Sequence, residues 1–320
     1  MMLSRGVIYL SLGALCYSLG SLSFAKSGAQ SSQISTWVGI IGSPTCILLL
    51  ALDNSFKPTE NLKNVDLYLS LLNGFVFGGA AIFLHFWSLE YILPADNNMV
   101  VVFFHICSSV IFQMLEDKRF PSVLTFFSVL FGFIGTFFVC NPKDLLTKNI
   151  LEVDNLKGVA LVALAGVSFA CMYANIRRFQ NIPPPWTSLG AALGNFASGL
   201  TSYNPWRVTS QQQCANMPRL LALLAAVFQT ITLCSNLKGA YEKSVTVTAT
   251  AVIQLLSPVF SFVLQLFLFP DIVWWRSGLG IFFIILAVGT QLIVLKQRET
   301  EIRKELQAHI QNDGFELKET

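Results

Sequence analysis

Ten stretches of this chain are apolar for about the length of a helix that crosses a bilayer, roughly 20 residues. That pattern constrains the fold more than any motif. The runs lie near residues 6–25, 34–52, 67–89, 94–115, 123–141, 156–177, 187–203, 218–237, 245–269 and 274–296. Composition agrees, with 53% hydrophobic and only 12% charged residues, where soluble domains carry about 25% charge. The expected fold is an all-α membrane protein with ten transmembrane helices. The seventh run is short and rich in Gly and Ser, so it reads as a buried, discontinuous or closely packed helix. Without it the count would be nine.

The placement of Lys and Arg bears on that number. Put the N-terminus, the loops after spans 2, 4, 6 and 8, and the C-terminal tail on one side. That side collects Arg5, Lys57, Lys63, Lys118, Arg119, Arg177, Arg178, Lys238, Lys243, Lys296, Arg298, Arg303, Lys304 and Lys318. The other side receives Lys26, Lys143, Lys148, Lys157, Arg207, Arg219 and Arg276. Basic residues concentrate on cytoplasmic loops, so both termini are expected in the cytosol and the number of spans is expected to be even. The membrane is expected to be the plasma membrane or an endomembrane of the ER or Golgi.

Several chemistries lack their parts. There is no HExxH, no GxSxG and no Walker loop, and no paired acidic residues lie within a span, so hydrolysis, metal catalysis and ATP-driven transport are not expected. The 7 cysteines lie mostly in apolar runs without metal-ligand spacing and read as small buried hydrophobes. No cofactor and no nucleic-acid partner are expected. The first apolar run has no convincing cleavage site after it and is expected to remain as an anchor.

The chain also repeats itself. A shift of 152 residues lays Gly6-Val7 on Gly158-Val159 and Tyr17 on Phe169, relating span 1 to span 6. A shift of 149 lays Asn97 on Thr246, His105 on Gln254, Ser109 on Pro258 and Pro121 on Pro270, relating span 4 to span 9. Two copies of five spans follow. Five is odd, so the second copy enters from the opposite side, giving two inverted five-helix repeats. The expected organisation is a first repeat over 1–141, a linker over 142–155, a second repeat over 156–296 and a cytosolic helical tail over 297–320. In the tail Glu299 and Arg303 stand four apart and Ile302, Leu306 and Ile310 form an apolar stripe, so span 10 is expected to continue as a helix to Asp313-Gly314.

The segments YSLGSLSFAK at Tyr17 to Lys26, LPAD at Leu93 to Asp96, LEDKRFP at Leu115 to Pro121 and AYEKSVTV at Ala240 to Val247, set on a five-plus-five pattern, resemble the EamA-type drug/metabolite transporter superfamily, most of all group G of solute carrier family 35. The resemblance implies a central cavity lined by helices 1 to 4 and 6 to 9. Helices 5 and 10 would lie at the periphery, available for homodimer contacts. The chain departs from group G where that group carries arginines in spans 2 and 3: Val38 and Asn73 stand there. His105 replaces the usual proline of span 4. Losing both cations weakens the case for an organic anion. The Gly-Ala-Leu-Asn-Lys signature of nucleotide-sugar carriers is also missing, which disfavours that substrate.

Each candidate cavity residue has a competing structural reading. His105 shares a helix face with Asn98, Val102 and Ser109, and an ionisable group so deep in a span points to function, although bonding to a neighbouring helix would also hold it. His85 reads rather as packing. Asp96 and Asn97 could only cap span 4, whereas Asn98 shares the face of His105. On span 9, Thr250 and Gln254 recur at helical spacing, and Thr often bonds its own backbone, so Gln254 carries more weight. Tyr17 and Tyr173 either bracket the solute or pack. The substrate-binding set expected is therefore Asn98, His105, Thr250, Gln254, Tyr17 and Tyr173. It fits a secondary transporter that moves a small polar metabolite by alternating access, as facilitator or exchanger, with membrane lipid as its surroundings. No Asp or Glu lies deep in a span, so His105 is the one candidate for titration during a cycle. The alternative is a membrane interaction or regulatory protein that keeps the fold without transporting.

Overall fold

The computed structural model describes residues 5–27, 31–52, 64–92, 94–140, 153–179, 182–202, 216–242, 244–268 and 274–316. Most of the expected linker, 142–152, lies outside the described residues, as do Lys57, Lys63, Lys143, Lys148, Arg207, Lys243 and Lys318. The helices are α1 (Arg5–Ser27), α2 (Ser31–Leu52), α3 (Asn64–Asn73), α4 (Gly79–Ser88), α5 (Pro94–Asp117) and α6 (Val123–Cys140) in the first half. The second half holds α7 (Val153–Ile176), α8 (Pro184–Ser202), α9 (Asn216–Ala240), α10 (Val247–Ile253), α11 (Leu256–Leu268) and α12 (Trp274–Glu316). No strand occurs among the described residues. Eight helical spans are long and apolar enough to cross a membrane, which makes the chain an all-α, multi-pass membrane protein. The apolar part of α6, Val123–Val139, is shorter, and α8, the weak seventh run, does not reach span-grade hydropathy.

Two spans are irregular, each for a local reason. Span 3 joins α3 to α4 through a π-helical turn, Gly74–Gly78, in which the Gly79 N–H bonds the Gly74 carbonyl. Glycines allow this widening because α8 lies directly on the turn. A Cβ at Gly74 would land on the Thr187 carbonyl oxygen, and one at Gly190 on that of Leu71. The spacings Gly74-x-x-x-Gly78 and Gly190-x-x-x-Gly194, which permit close helix approach, therefore lie on the two sides of this contact.

Span 9 breaks between α10 and α11, and the break lies four residues before Pro258. Proline has no N–H and its ring collides with the carbonyl of residue i−4, here Gln254. That carbonyl turns instead to the Ser257 N–H at 2.9 Å, while the Leu255 N–H bonds Val252 at 3.1 Å, a tight 3₁₀-type turn. Span 4, which the sequence shift aligns with span 9 and which has Ser109 at the position of Pro258, runs unbroken as α5. Helix α5 opens on Pro94, whose missing N–H costs nothing in a first turn. Asn97 is thus already inside the helix, and it does not cap it.

Polarity is arranged for a lipid solvent. Large apolar side chains such as Leu48, Phe126, Phe282 and Ile285 are exposed, while Ser18, Ser35, Asn195 and Thr250 are buried. Several buried hydroxyls are satisfied within their own helices: Ser18 donates to Ala14, Thr136 to Gly132 and Thr230 to Ala226, all at 2.8–2.9 Å. The main apolar core joins Ile34 of α2, Phe86 of α4, Met172 of α7, Ala191 of α8 and Leu237 of α9. A second core, around Leu255 and Ile284, binds α12 and α6 to the broken span.

The helix ends fall into two groups. Val7 and Leu295 share one cluster with Val245. Arg177, just after α7, bonds Glu116 at 3.2 Å, and Arg298 reaches Asp117 at 3.8 Å, so the ends of α5 and α7 meet the exit of α12. Burial pushes the Arg177 guanidinium below its ordinary value, while Glu116 draws it back up. At the other end Gly158 packs on Tyr91 and Ile92, and Lys157 lies over the Tyr91 ring at 4.6 Å. Helix α12 continues through Asp313-Gly314 to Glu316, slightly beyond the expected stop.

Candidate functional site

A cavity of about 60 Å³ lies between α1, α4, α5, α7, α9 and the broken span. Five of the six predicted binding residues line it: Tyr17, Asn98, His105, Tyr173 and Gln254. Thr250 does not. Its hydroxyl donates to the Thr246 carbonyl at 3.1 Å and its side chain is buried against neighbouring helices, the backbone-bonding outcome open to any helical threonine. Helices α2 and α8, which the family resemblance places around the cavity, contribute no lining residue.

Tyr173 is the hinge of the site. The His105 ring stacks on it with centroids 5.6 Å apart and planes inclined by 27°, and the Gln254 amide donates to its hydroxyl at 3.0 Å. His105 and Gln254 thus meet through one tyrosine supplied by α7. Gln254 can point there because it closes α10 at the break, where the backbone ahead of Pro258 no longer follows the helix. On the other wall the Tyr17 hydroxyl lies 2.5 Å from His85 Nε2. His85 therefore belongs to the support of the site, as well as to the core that the sequence assigned it.

The paired asparagines at the start of α5 separate by function. Asn98 faces the cavity. Asn97 is fully buried and donates to the His85 carbonyl at 3.1 Å and to the Ser88 hydroxyl, tying α5 to α4. Asn73, standing where the resembled group carries arginine, donates to the Met172 carbonyl at 3.2 Å and accepts from Asn175 at 3.0 Å. Val38 is wholly buried. Val38 and Asn73 are thus packed residues that need no anionic partner.

Sequence reasoning missed three polar lining residues of α9: Gln229, Thr232 and Asn236. Thr232 donates to Phe228 at 2.9 Å and approaches Gly13 across the α1 contact. Gln229 and Asn236 stand seven apart in an apolar run, hence on one face, and that polar pair inside a span was the available signal. Among the described residues no group of three or more His, Cys, Asp or Glu could hold a metal ion.

No protein-family model and no curated protein matches the chain. A solved structure, described only as "Crystal structure of protein", superimposes with a TM-score of 0.73 over 92% of this chain and 99% of its own at 13% identity. At that identity the likeness shows a shared fold and nothing of function.

Proposed function

We propose that the chain is a secondary transporter that moves a small polar metabolite across its membrane by alternating access. The observation that carries this reading is the cavity at Tyr173, enclosed by polar groups from both halves. Tyr17, Asn98 and His105 come from the first half, and Tyr173, Gln229 and Gln254 from the second. Enclosure by two halves lets their relative motion open the pocket to one side and then the other.

Ten spans in two inverted five-helix repeats, of the kind found in EamA-type carriers, are the architecture proposed for that motion. In support, helix pairings exchange under the relation of spans 1–5 to spans 6–10. Span 1 packs on span 8 as span 3 packs on span 6, and span 4 packs on span 6 as span 1 packs on span 9. Span 2 pairs with its own equivalent, α8, and α6 pairs with α12. With Arg and Lys richer at the end holding the termini, that end is assigned to the cytosol. The alternative of a non-transporting regulatory protein gains no specific observation.

The test is uptake of pooled metabolites by the purified protein in liposomes. His105→Leu and Gln254→Leu both make the spans more apolar and so spare insertion. Each is expected to lower uptake at least about tenfold, the effect of losing one good hydrogen bond to a charged or tightly held polar group. Wild-type uptake in both variants at equal protein content would reduce these residues to packing.

A further inference from the structure

The cavity is lined by aromatic, aliphatic, amide and hydroxyl side chains and by His105; among the described residues no carboxylate, ammonium or guanidinium lines it. The ion pairs Arg177–Glu116 and Arg298–Asp117 lie at the helix ends. Two lining residues nevertheless hold a buried polar atom without a protein partner, His105 Nε2 and Gln229 Oε1, whereas the unpaired Asn236 Oδ1 packs against Gly13 of α1. Both side chains are more than nine-tenths buried, the residues being 4% and 2% exposed. Native proteins seldom leave such atoms unpaired, so an occupant with hydrogen-bonding groups is expected among them.

The chemistry of the atoms describes that occupant. Amide oxygens accept only, and an imidazole nitrogen donates or accepts according to its tautomer. A phosphate or carboxylate would present an acceptor to the acceptor of Gln229. It would also carry a net charge into a site with no counter-charge, which is unfavourable in apolar surroundings. An ammonium would find oxygens but no carboxylate to balance it. A neutral molecule with N–H or O–H donors meets every requirement. A volume of about 60 Å³ holds some four to six waters at roughly 10–15 Å³ each, the scale of a single small ring or short polyol.

Resting on the transport reading, we propose that the central cavity selects small uncharged solutes that donate hydrogen bonds, of the size of a pyrimidine base or a four-carbon polyol. Proteoliposomes would be offered radiolabelled uracil and erythritol, and separately succinate, phosphate and choline. Saturable uptake of uracil or erythritol above protein-free liposomes is expected. It should be unchanged when a potassium diffusion potential is reversed, because no charge moves. Gln229→Leu is expected to lower it at least about tenfold. Gln229→Glu, which keeps side-chain shape while adding an acid, is expected to lower it as well. Uptake of succinate, phosphate or choline with uracil and erythritol inert would overturn the solute class and leave the transporter standing. Inertness towards both panels would overturn both. Uracil or erythritol uptake unchanged in both variants would also overturn the proposal, since Gln229 would then not hold the solute.

Discussion

At the scale of single residues, the Tyr17–His85 contact offers the sharpest separation of support from binding. His85 is 1% exposed, and Tyr17→Phe would remove the hydroxyl 2.5 Å from its Nε2. A buried polar atom stranded in this way costs on the order of 1–3 kcal/mol, whereas removing both partners can be nearly neutral. Tyr17→Phe is therefore expected to lower thermal stability in detergent, and the double variant Tyr17→Phe/His85→Leu to recover most of the loss. Equal destabilisation by single and double variants would show that the contact contributes nothing. Legibility at this scale followed polarity inside apolar runs. His105, Asn98 and Gln254 were visible because each is out of place in hydrocarbon. Gln229 and Asn236 carried the same signal and were passed over because no repeat partner drew attention to span 8. Thr250 was misread because spacing reports the face of a helix, whereas its hydroxyl had a carbonyl of its own helix within reach.

At the scale of elements, the break in span 9 is where sequence and structure differ most usefully. Residues 245–269 read as one apolar run because hydropathy does not register where a backbone hydrogen bond is lost; Pro258 was the signal, and its effect falls four residues earlier. Pro258→Ala would return an N–H to the Gln254 carbonyl and let α10 and α11 merge. Stability is expected to hold or rise, since a proline inside a helix costs about 3 kcal/mol. Uptake is expected to fall, because a regular helix would carry the Gln254 amide away from Tyr173. Lower stability with normal uptake would assign the proline to packing alone. The π-turn of span 3 is a contrasting case. Its glycines were legible as a site of close approach, but the wider turn that sits against the α8 backbone at Gly74 was not.

At the scale of the whole molecule, the apolar runs made the all-α membrane class plain, while the sides of the helix ends depend on parity, which one misjudged span would invert. Within the structure the start of α7 lies with Tyr91 and Ile92, and the exit of α12 lies with Val7 and the ends of α5 and α7. The 43 residues of α12 extend about 65 Å at 1.5 Å per residue, about twice the hydrocarbon thickness, so its last turns project well past the lipid. Leu156, 52% exposed at the start of α7, and Glu301, on the projecting part of α12, should then lie on opposite sides. With the seven native cysteines replaced, Leu156→Cys is expected to react with an impermeant maleimide from one side only and Glu301→Cys from the other, the cytosolic side. Truncation after Thr300 should leave that arrangement and solute uptake intact, because it spares Arg298 and its contact with Asp117. Labelling of both cysteines from one side would place both helix ends together and sink the inverted arrangement, since α7 would then have to enter from the side on which α12 leaves.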